Sequence, residues 1–458
     1  MNQIFKRTNL AVALTAGMLI SPLAMATNGY FAHGYSTKNK ALAGSGLAAP
    51  QDAMVAATNP AGMVHVGERM DIGAAIFSPS PRSYSATADT AGITDGTVCG
   101  ANCPFTIGGN ATAQSIESEN DFFLIPHFAY NWMLKSESSF VVSVYGNGGM
   151  NTEYEGGQAQ HNNGAGTAVT NAGTFGAGTA GVNLEQLFIN TTYARKVNES
   201  FSFGVSAILA YQRFEAKGLR NFGGFSVNGN KLTDNGTDTA FGYGLKVGVL
   251  GEVAKGVRLA ASYQSEMDMD EFDDYSGLFA EGGDFDIPST WTVGVAWDVT
   301  PKSILTFDVQ QIMYGDIKAI ANPIGNLTSN CTSGAPATGA GCLGGSDGAG
   351  FGWEDMTIYK LGFQWESSAD WIWRVGYSHG EQPIPDSQVL FNILAPAVIE
   401  DHITFGFTHK TGKNSELNFQ FAHALENSVT GTNAFNTTQQ ITLEMEQNEV
   451  QIGWGMKF

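Results

Sequence analysis

From Glu68 to Phe458 the chain alternates apolar and polar residues with a period of two, in fourteen stretches separated by turn-forming residues. That period sends successive side chains to opposite faces of a β-strand. It predicts strands at 68–78, 120–133, 138–150, 183–197, 200–215, 238–254, 256–271, 287–299, 302–318, 354–366, 369–381, 399–411, 414–427 and 440–458. In the fifth of these, Phe201, Phe203, Val205, Ala207, Leu209 and Tyr211 share one parity, and Ser202, Gly204, Ser206, Ala210 and Gln212 the other. In the thirteenth, Leu417, Phe419 and Phe421 oppose Glu416, Asn418 and Gln420. One apolar and one polar face per strand suits a wall between lipid and an interior, so the predicted fold is all-β, a 14-stranded antiparallel transmembrane β-barrel.

The connections alternate in length. Tight turns at 135–138, 198–199, 255, 301, 367–370 and 412–413 are expected on the periplasmic side. Long segments at 79–119, 151–182, 216–237, 272–286, 319–353, 382–398 and 428–439 are expected outside. Trp297, Trp371, Trp373 and Trp454 fall on the apolar parity near the short turns, as an interfacial girdle against outer-membrane lipids requires. In the last stretch Ile441, Leu443 and Met445 are apolar on odd numbers, but Val450, Ile452, Trp454, Met456 and Phe458 on even ones. A β-bulge between Glu446 and Glu449 would reconcile the two halves by swapping faces. Terminal Phe458 resembles the signal of barrels handled by the outer-membrane assembly machinery.

The N-terminus agrees. Lys6 and Arg7 precede an apolar run at 10–20, and Ala24-Met25-Ala26 offers small residues for cleavage, which predicts a signal peptide at 1–26 and a mature start at Thr27. Beyond it no apolar run is long enough for a membrane helix. The chain has 57 glycines and only 14% charged residues, and its 23 Lys+Arg face 43 Asp+Glu, a balance that argues against nucleic acid. Cys99 and Cys103 share one loop and Cys331 and Cys342 another, so local disulfides are expected in an exported chain. No His stands at ligand spacing from either pair, and neither a metal nor a cofactor is expected.

Residues 27–67 break the pattern. The stretch 41–57 is rich in small residues, interrupted by Gly44, Gly46 and Pro50, and holds too little apolar bulk to fold alone. Its expected partner is the lumen of the barrel at 68–458. Asn59-Pro60-Ala61-Gly62 closes it with a turn. This Asn59-Pro60-Ala61 element, after Ala41-Leu42-Ala43-Gly44-Ser45-Gly46, resembles the N-terminal hatch of the FadL-type long-chain fatty acid transporters, whose relatives also carry toluene and other hydrocarbons. Ile287-Pro288-Ser289-Thr290-Trp291, and Pro383-Ile384-Pro385-Asp386 with Glu400-Asp401-His402, support the resemblance, as does the strand number.

The resemblance implies a monomeric barrel plugged by its hatch. It further implies passive uptake of hydrophobic molecules, captured at the outer loops, bound in the lumen and released sideways through the wall. The hatch start, Thr27, Asn28, Gly29, Tyr30 and Phe31, would then lie near the ligand. Gly146, Asn147, Gly148 and Gly149 would mark a lateral opening in the third strand, although this run also reads as the start of a loop. Leu219, Phe222, Phe225, Tyr275, Leu278, Phe279 and Phe285 would form an outer groove, or alternatively a small loop core. Arg374, Lys410 and Arg213 are the candidates for pairing with a fatty acid carboxylate. An enzyme is not expected, because Asp401 and His402 are neighbours on opposite faces and no Gly-x-Ser-x-Gly is present. A general diffusion porin and an adhesin or receptor barrel are the alternatives.

Overall fold

The computed structural model describes residues 28–100 and 103–458; the signal-peptide expectation and Thr27 lie outside them. Fourteen strands form the wall: β1 (Arg69–Ser78), β2 (Phe123–Lys135), β3 (Ser138–Tyr154), β4 (Ala180–Asn198), β5 (Phe201–Lys217), β6 (Asp238–Ala254), β7 (Val257–Gln264), β8 (Thr290–Thr300), β9 (Ser303–Ile312), β10 (Met356–Glu366), β11 (Trp371–Gly380), β12 (Asp401–Lys410), β13 (Ser415–Asn433) and β14 (Asn436–Lys457). Each pairs antiparallel with its sequence neighbours, and β1 closes the barrel by pairing with both β2 and β14. Closure leaves no sheet edge facing lipid, which a wall in hydrocarbon requires.

The faces follow the alternation. Val205 and Leu209 stand exposed on the outside of β5, whereas Ser202, Ser206 and Gln212 are buried within. Trp371 and Trp373 stack at 5.5 Å on the outside of β11.

Two expectations are corrected. The first concerns β14, which carries no bulge between Glu446 and Glu449. Its odd positions from Gln439 to Gly455 all face inward, so Ile441, Leu443 and Met445 line the lumen just as Gln447, Glu449 and Gln451 do. The polarity changes because the lumen itself changes, from apolar near the outer loops to polar below. The register shift sits instead on β13, between Ala424 and Asn427. The second concerns 428–439, which is no long loop. β13 and β14 continue through it to a short turn between Asn433 and Asn436. Its outward Ser, Thr and Gln residues read as loop only because this hairpin rises past the lipid, where the outer face meets water. Arg82–Ala86 pairs with β14 there, and Gln114–Glu117 pairs with Arg82–Ala86.

Residues 28–66 pack against the inward faces. Short helices are nucleated by their capping residues: Ser36 caps α1 (Thr37–Lys40), Asp52 caps a 3-10 turn at Ala53–Ala57, and Asn59 caps another at Pro60–His65, with Pro60 in its first turn. Nearly every residue of this segment is buried, though it has few large apolar side chains. Buried ion pairs fasten it to the wall: Lys38 to Glu416 at 2.5 Å and Lys40 to Glu449 at 2.6 Å. Arg69 joins the first of these, bonding both Glu416 and Asp71 at 2.6 Å.

Candidate functional site

Asn59 makes more than a turn. Its Oδ1 accepts the Ala61 N–H at 3.1 Å, and its Nδ2 donates to the carbonyls of Leu47 and Val249, both at 3.2 Å. One side chain thereby ties two parts of the segment to β6. The approach is close because the wall offers no side chains there. A Cβ on Gly204 would collide with the Pro60 backbone, and one on Gly248 with Asn59.

The other end of the segment meets the wall at β3. β2 and β3 pair only from His127 and Tyr145 downward to Lys135 and Ser138. Pro126, the next residue up β2, has no N–H to continue the ladder. Past Tyr145, β3 bulges at Asn147: Gly146 pairs with Leu187 and Gly148 with the adjacent Gln186. The run Gly146 to Gly149 therefore belongs to the strand and does not begin a loop, since pairing with β4 continues to Tyr154. Residues 28–32 occupy the vacated edge. The Gly149 N–H donates to the Tyr30 carbonyl and the Ala32 N–H to the Asn147 carbonyl, both at 2.9 Å. Only glycine fits at 148, where a Cβ would strike the Tyr30 backbone. The Asn147 side chain points inward, accepting from the Tyr35 hydroxyl at 3.0 Å and donating to Gln186 at 2.9 Å.

The same segment packs into a cluster of aromatic rings. Tyr30 lies 5.2 Å from Phe31, 6.3 Å from Phe285, 5.2 Å from Tyr314 and 6.0 Å from Trp353, ring centre to ring centre. Gly29 takes φ 63° against the Tyr314 ring, and the Asn28 carbonyl accepts from the Tyr314 hydroxyl at 2.6 Å. The sequence did not single out Tyr314 or Trp353. Tyr314 falls at the end of the stretch expected as a strand at 302–318, whose strand stops at Ile312, and Trp353 lies in the connection beyond it, so alternation marked neither as a contact of residues 28–32.

Beyond these rings, Leu219, Phe222, Leu278 and Phe279 line an apolar chamber of about 30 Å³ with Phe214, Leu343, Phe351 and Phe391. These loop residues are packed together, not laid out as an exposed patch: Leu219, Phe222, Tyr275, Phe279 and Phe285 are all buried. Tyr275 packs edge-on to Phe214 at 4.8 Å, Phe285 lies 4.7 Å from Phe279, and Phe225 stacks on Phe435 at 6.0 Å. Apolar side chains from five connections exclude water jointly, which alternation within one strand could not reveal. Cys331 is bonded to Cys342 beside Leu343, and Cys99 to Cys103 in the first outer loop.

None of the three basic candidates faces this chamber. Arg374 donates to Gln51 and Thr408 in the lower lumen, and Lys410 to the Ala369 carbonyl at the short turn between β10 and β11. Arg213 lies 3.7 Å from Glu185, its cross-strand partner on the outward parity. The buried lysines that do reach residues 28–66 are Lys246, which donates to the Ala57 carbonyl, and Lys360, which donates to the His33 carbonyl at 3.1 Å. Lys246 stands on the inward parity between Gly244 and Gly248, and that parity was its only sequence signal. His402 stacks on His33 at 5.5 Å, while Asp401 faces Tyr377 and His379.

The family described as outer membrane protein transport protein (OMPP1/FadL/TodX) matches residues 17–458. The chain belongs to this family. Solved structures share the FadL/TodX barrel at low identity. The Pseudomonas putida toluene transporter TodX is 16% identical, covers 94% of this chain and 100% of its own, and superposes with a TM-score of 0.62. A Pseudomonas aeruginosa FadL homologue is 12% identical at 0.61, with 94% and 100% covered. The Ralstonia pickettii toluene transporter TbuX is 14% identical at 0.56, with 93% and 99% covered. No curated protein matches the chain. As a FadL/TodX member it resides in the outer membrane and serves transport, not catalysis.

Proposed function

We propose that the chain takes up small hydrophobic molecules passively, binding them in the aromatic chamber and releasing them sideways between β2 and β3. One observation carries the reading: residues 28–32 pack through Tyr30 and Phe31 into the aromatic cluster that adjoins the chamber at Phe285 and Phe279, while completing the β3 edge through the carbonyl of Tyr30 and the N–H of Ala32. A molecule that enters the chamber competes with Tyr30 for the same aromatic contacts. Displacing Tyr30 also withdraws the strand from β3, so binding and opening are coupled through one segment. Burial supplies the driving force, about 0.8 kcal/mol per CH₂, without an energy source. Sideways release spares an oily molecule the aqueous periplasm.

Residues 28–67 then act as the hatch, and the site is complete within one chain, which fits a monomer. A diffusion porin needs an open bore, whereas here ion-paired, buried residues fill the lumen. Cells carrying the protein should accumulate labelled toluene or dodecane faster than cells without it, and purified barrels in planar bilayers should show no steady conductance. A constant open-channel current with no gain in hydrocarbon uptake would overturn the proposal.

A further inference from the structure

The outer face of the wall carries an open trough of about 620 Å³ across β5 to β8. Its lining is four triplets, each centred on one member of a register row: Gly204, Gly248, Ser262 and Thr292. Those central residues face the lumen. A Cβ on Gly204 would meet Pro60 and one on Gly248 would meet Asn59, so residues 59–61 sit directly behind the trough. The flanking residues face outward, where Val205, Val247, Val249 and Val293 stand exposed. Val249, Ala261 and Val293 are cross-strand neighbours, and Val205 and Val247 pair in the next row up. Together they make a floor of short side chains three strand spacings wide, about 14 Å. Phe203 bounds it at β5, and the paired rings of Tyr263 and Trp291 bound it above.

Arg195 on β4 is the cross-strand partner of Phe203, and so extends the lower row past the end of the trough. It is exposed on the outward parity three residues before β4 ends at Asn198, and among the described residues it has no ion-pair partner. A guanidinium there can lie along the wall with its stem in hydrocarbon and its head at the lipid phosphates. We propose that the trough binds one acyl chain of a phospholipid from the leaflet at the short turns, with the phosphate held by Arg195. The trough is continuous with the surface that a membrane-resident barrel shows to lipid, and its outward lining is aliphatic or aromatic throughout. Its volume holds roughly twenty groups the size of a water molecule, close to the methylene count of one long chain. A second copy fits less well, because the wall around the trough is convex and two troughs facing across a two-fold axis would enclose a void. An acyl chain instead supplies the packing that the short side chains leave open. The site goes beyond the uptake reading and stands without it.

The test is photolabelling of the full chain in micelles of dodecyl maltoside, which carries no phosphate, with rising amounts of a phosphatidylglycerol that bears a diazirine on one acyl chain. Label yield is read by mass spectrometry at the four triplets and, as a control face, at Phe405 and Phe421, an exposed cross-strand pair on β12 and β13. Yield at the trough should saturate, while yield at the control face rises in proportion to the lipid. Ala261→Phe fills the floor and should raise the half-saturating amount about tenfold, the effect of losing about two buried methylenes. Arg195→Gln should raise it about fivefold, the effect of one basic residue on an anionic lipid. Arg195→Gln removes no ion pair within the described residues, so it guards against a misfolded Ala261→Phe. Proportional yield at the trough, or unchanged half-saturation in either variant, overturns the site. Dimers that Ala261→Phe abolishes assign the trough to a second copy and overturn it as well.

Discussion

Tyr314 holds Tyr30 by its backbone: the Tyr314 hydroxyl accepts the Tyr30 N–H at 3.1 Å while donating to the carbonyl of Asn28. A side chain on the connection after β9 thus fixes the first described turn of the lumen segment, 284 residues away in sequence. Tyr314→Phe keeps the ring and removes both hydrogen bonds, leaving a buried N–H without a partner. Loss of about 1–2 kcal/mol of local stability is expected. Hydrogen exchange at residues 28–32 should quicken about tenfold with the global unfolding midpoint unchanged; unchanged exchange would show that ring packing alone holds the segment.

Gly148→Ala places a methyl group where the Tyr30 backbone now lies. The strand at 28–32 should leave the β3 edge, at about 1–3 kcal/mol, while the barrel still assembles. Exchange at Gly149 and Ala32 should lose protection together, because each donates one of the two bonds joining the segments. Protection retained at either amide would contradict a cooperative gate strand.

Glu416→Gln removes the carboxylate shared by Lys38 and Arg69. Arg69 keeps Asp71, but Lys38 is left buried without its ion-pair partner. Destabilisation of about 3–5 kcal/mol is expected in urea unfolding from micelles. Lys410→Ala, which removes a bond to one exposed carbonyl, should change little. Similar effects for the two variants would refute the distinction.

The fourteen strands were legible because lipid imposes one constant demand on one face, whatever the lumen holds. Residues on the other face were legible only as polar or apolar, not by what they touch. Ile441, Leu443 and Met445 looked like a change of face because the rule that outward means apolar holds only at membrane height. The glycines of β3 carried a signal, and Pro126 on β2 carried the complementary one, yet the alternation runs through Pro126 without interruption. Tyr314, Trp353 and the buried lysines were not legible, since their partners lie hundreds of residues away and no local period encodes them.

The connection between β7 and β8 is expected to respond to pH. Burial raises the Asp286 carboxyl to about 7, with Asp284, Glu266 and Asp268 adding to the rise and the Met269 N–H, 2.8 Å from its Oδ1, opposing it. A carboxyl whose folded pKa lies above its unfolded value of 3.8 favours folding fully only below about 4, and that contribution disappears as pH rises through 7. Residues 265–289 should therefore show lower protection factors, corrected for the intrinsic exchange rate, at pH 8 than at pH 5, and Asp286→Asn should flatten the difference. Phe285, next in the chain, is fixed by the Gln212 amide at 2.8 Å, so a loosened connection should also weaken aromatic binding at high pH. A lower protection factor at the lower pH would reverse the argument.

The two bonds that bind residues 28–32 to β3 are buried, and a buried amide stripped of its partner finds no water to replace it. If each lost bond is unfavourable by about 2 kcal/mol, the unoccupied barrel parts its seam for only about one part in a thousand of the time. Under the proposed sideways release, such a seam would act as a spring-loaded valve: traffic through it would scale with how well a guest substitutes for Tyr30, and the barrel would admit oily molecules while staying tight to ions.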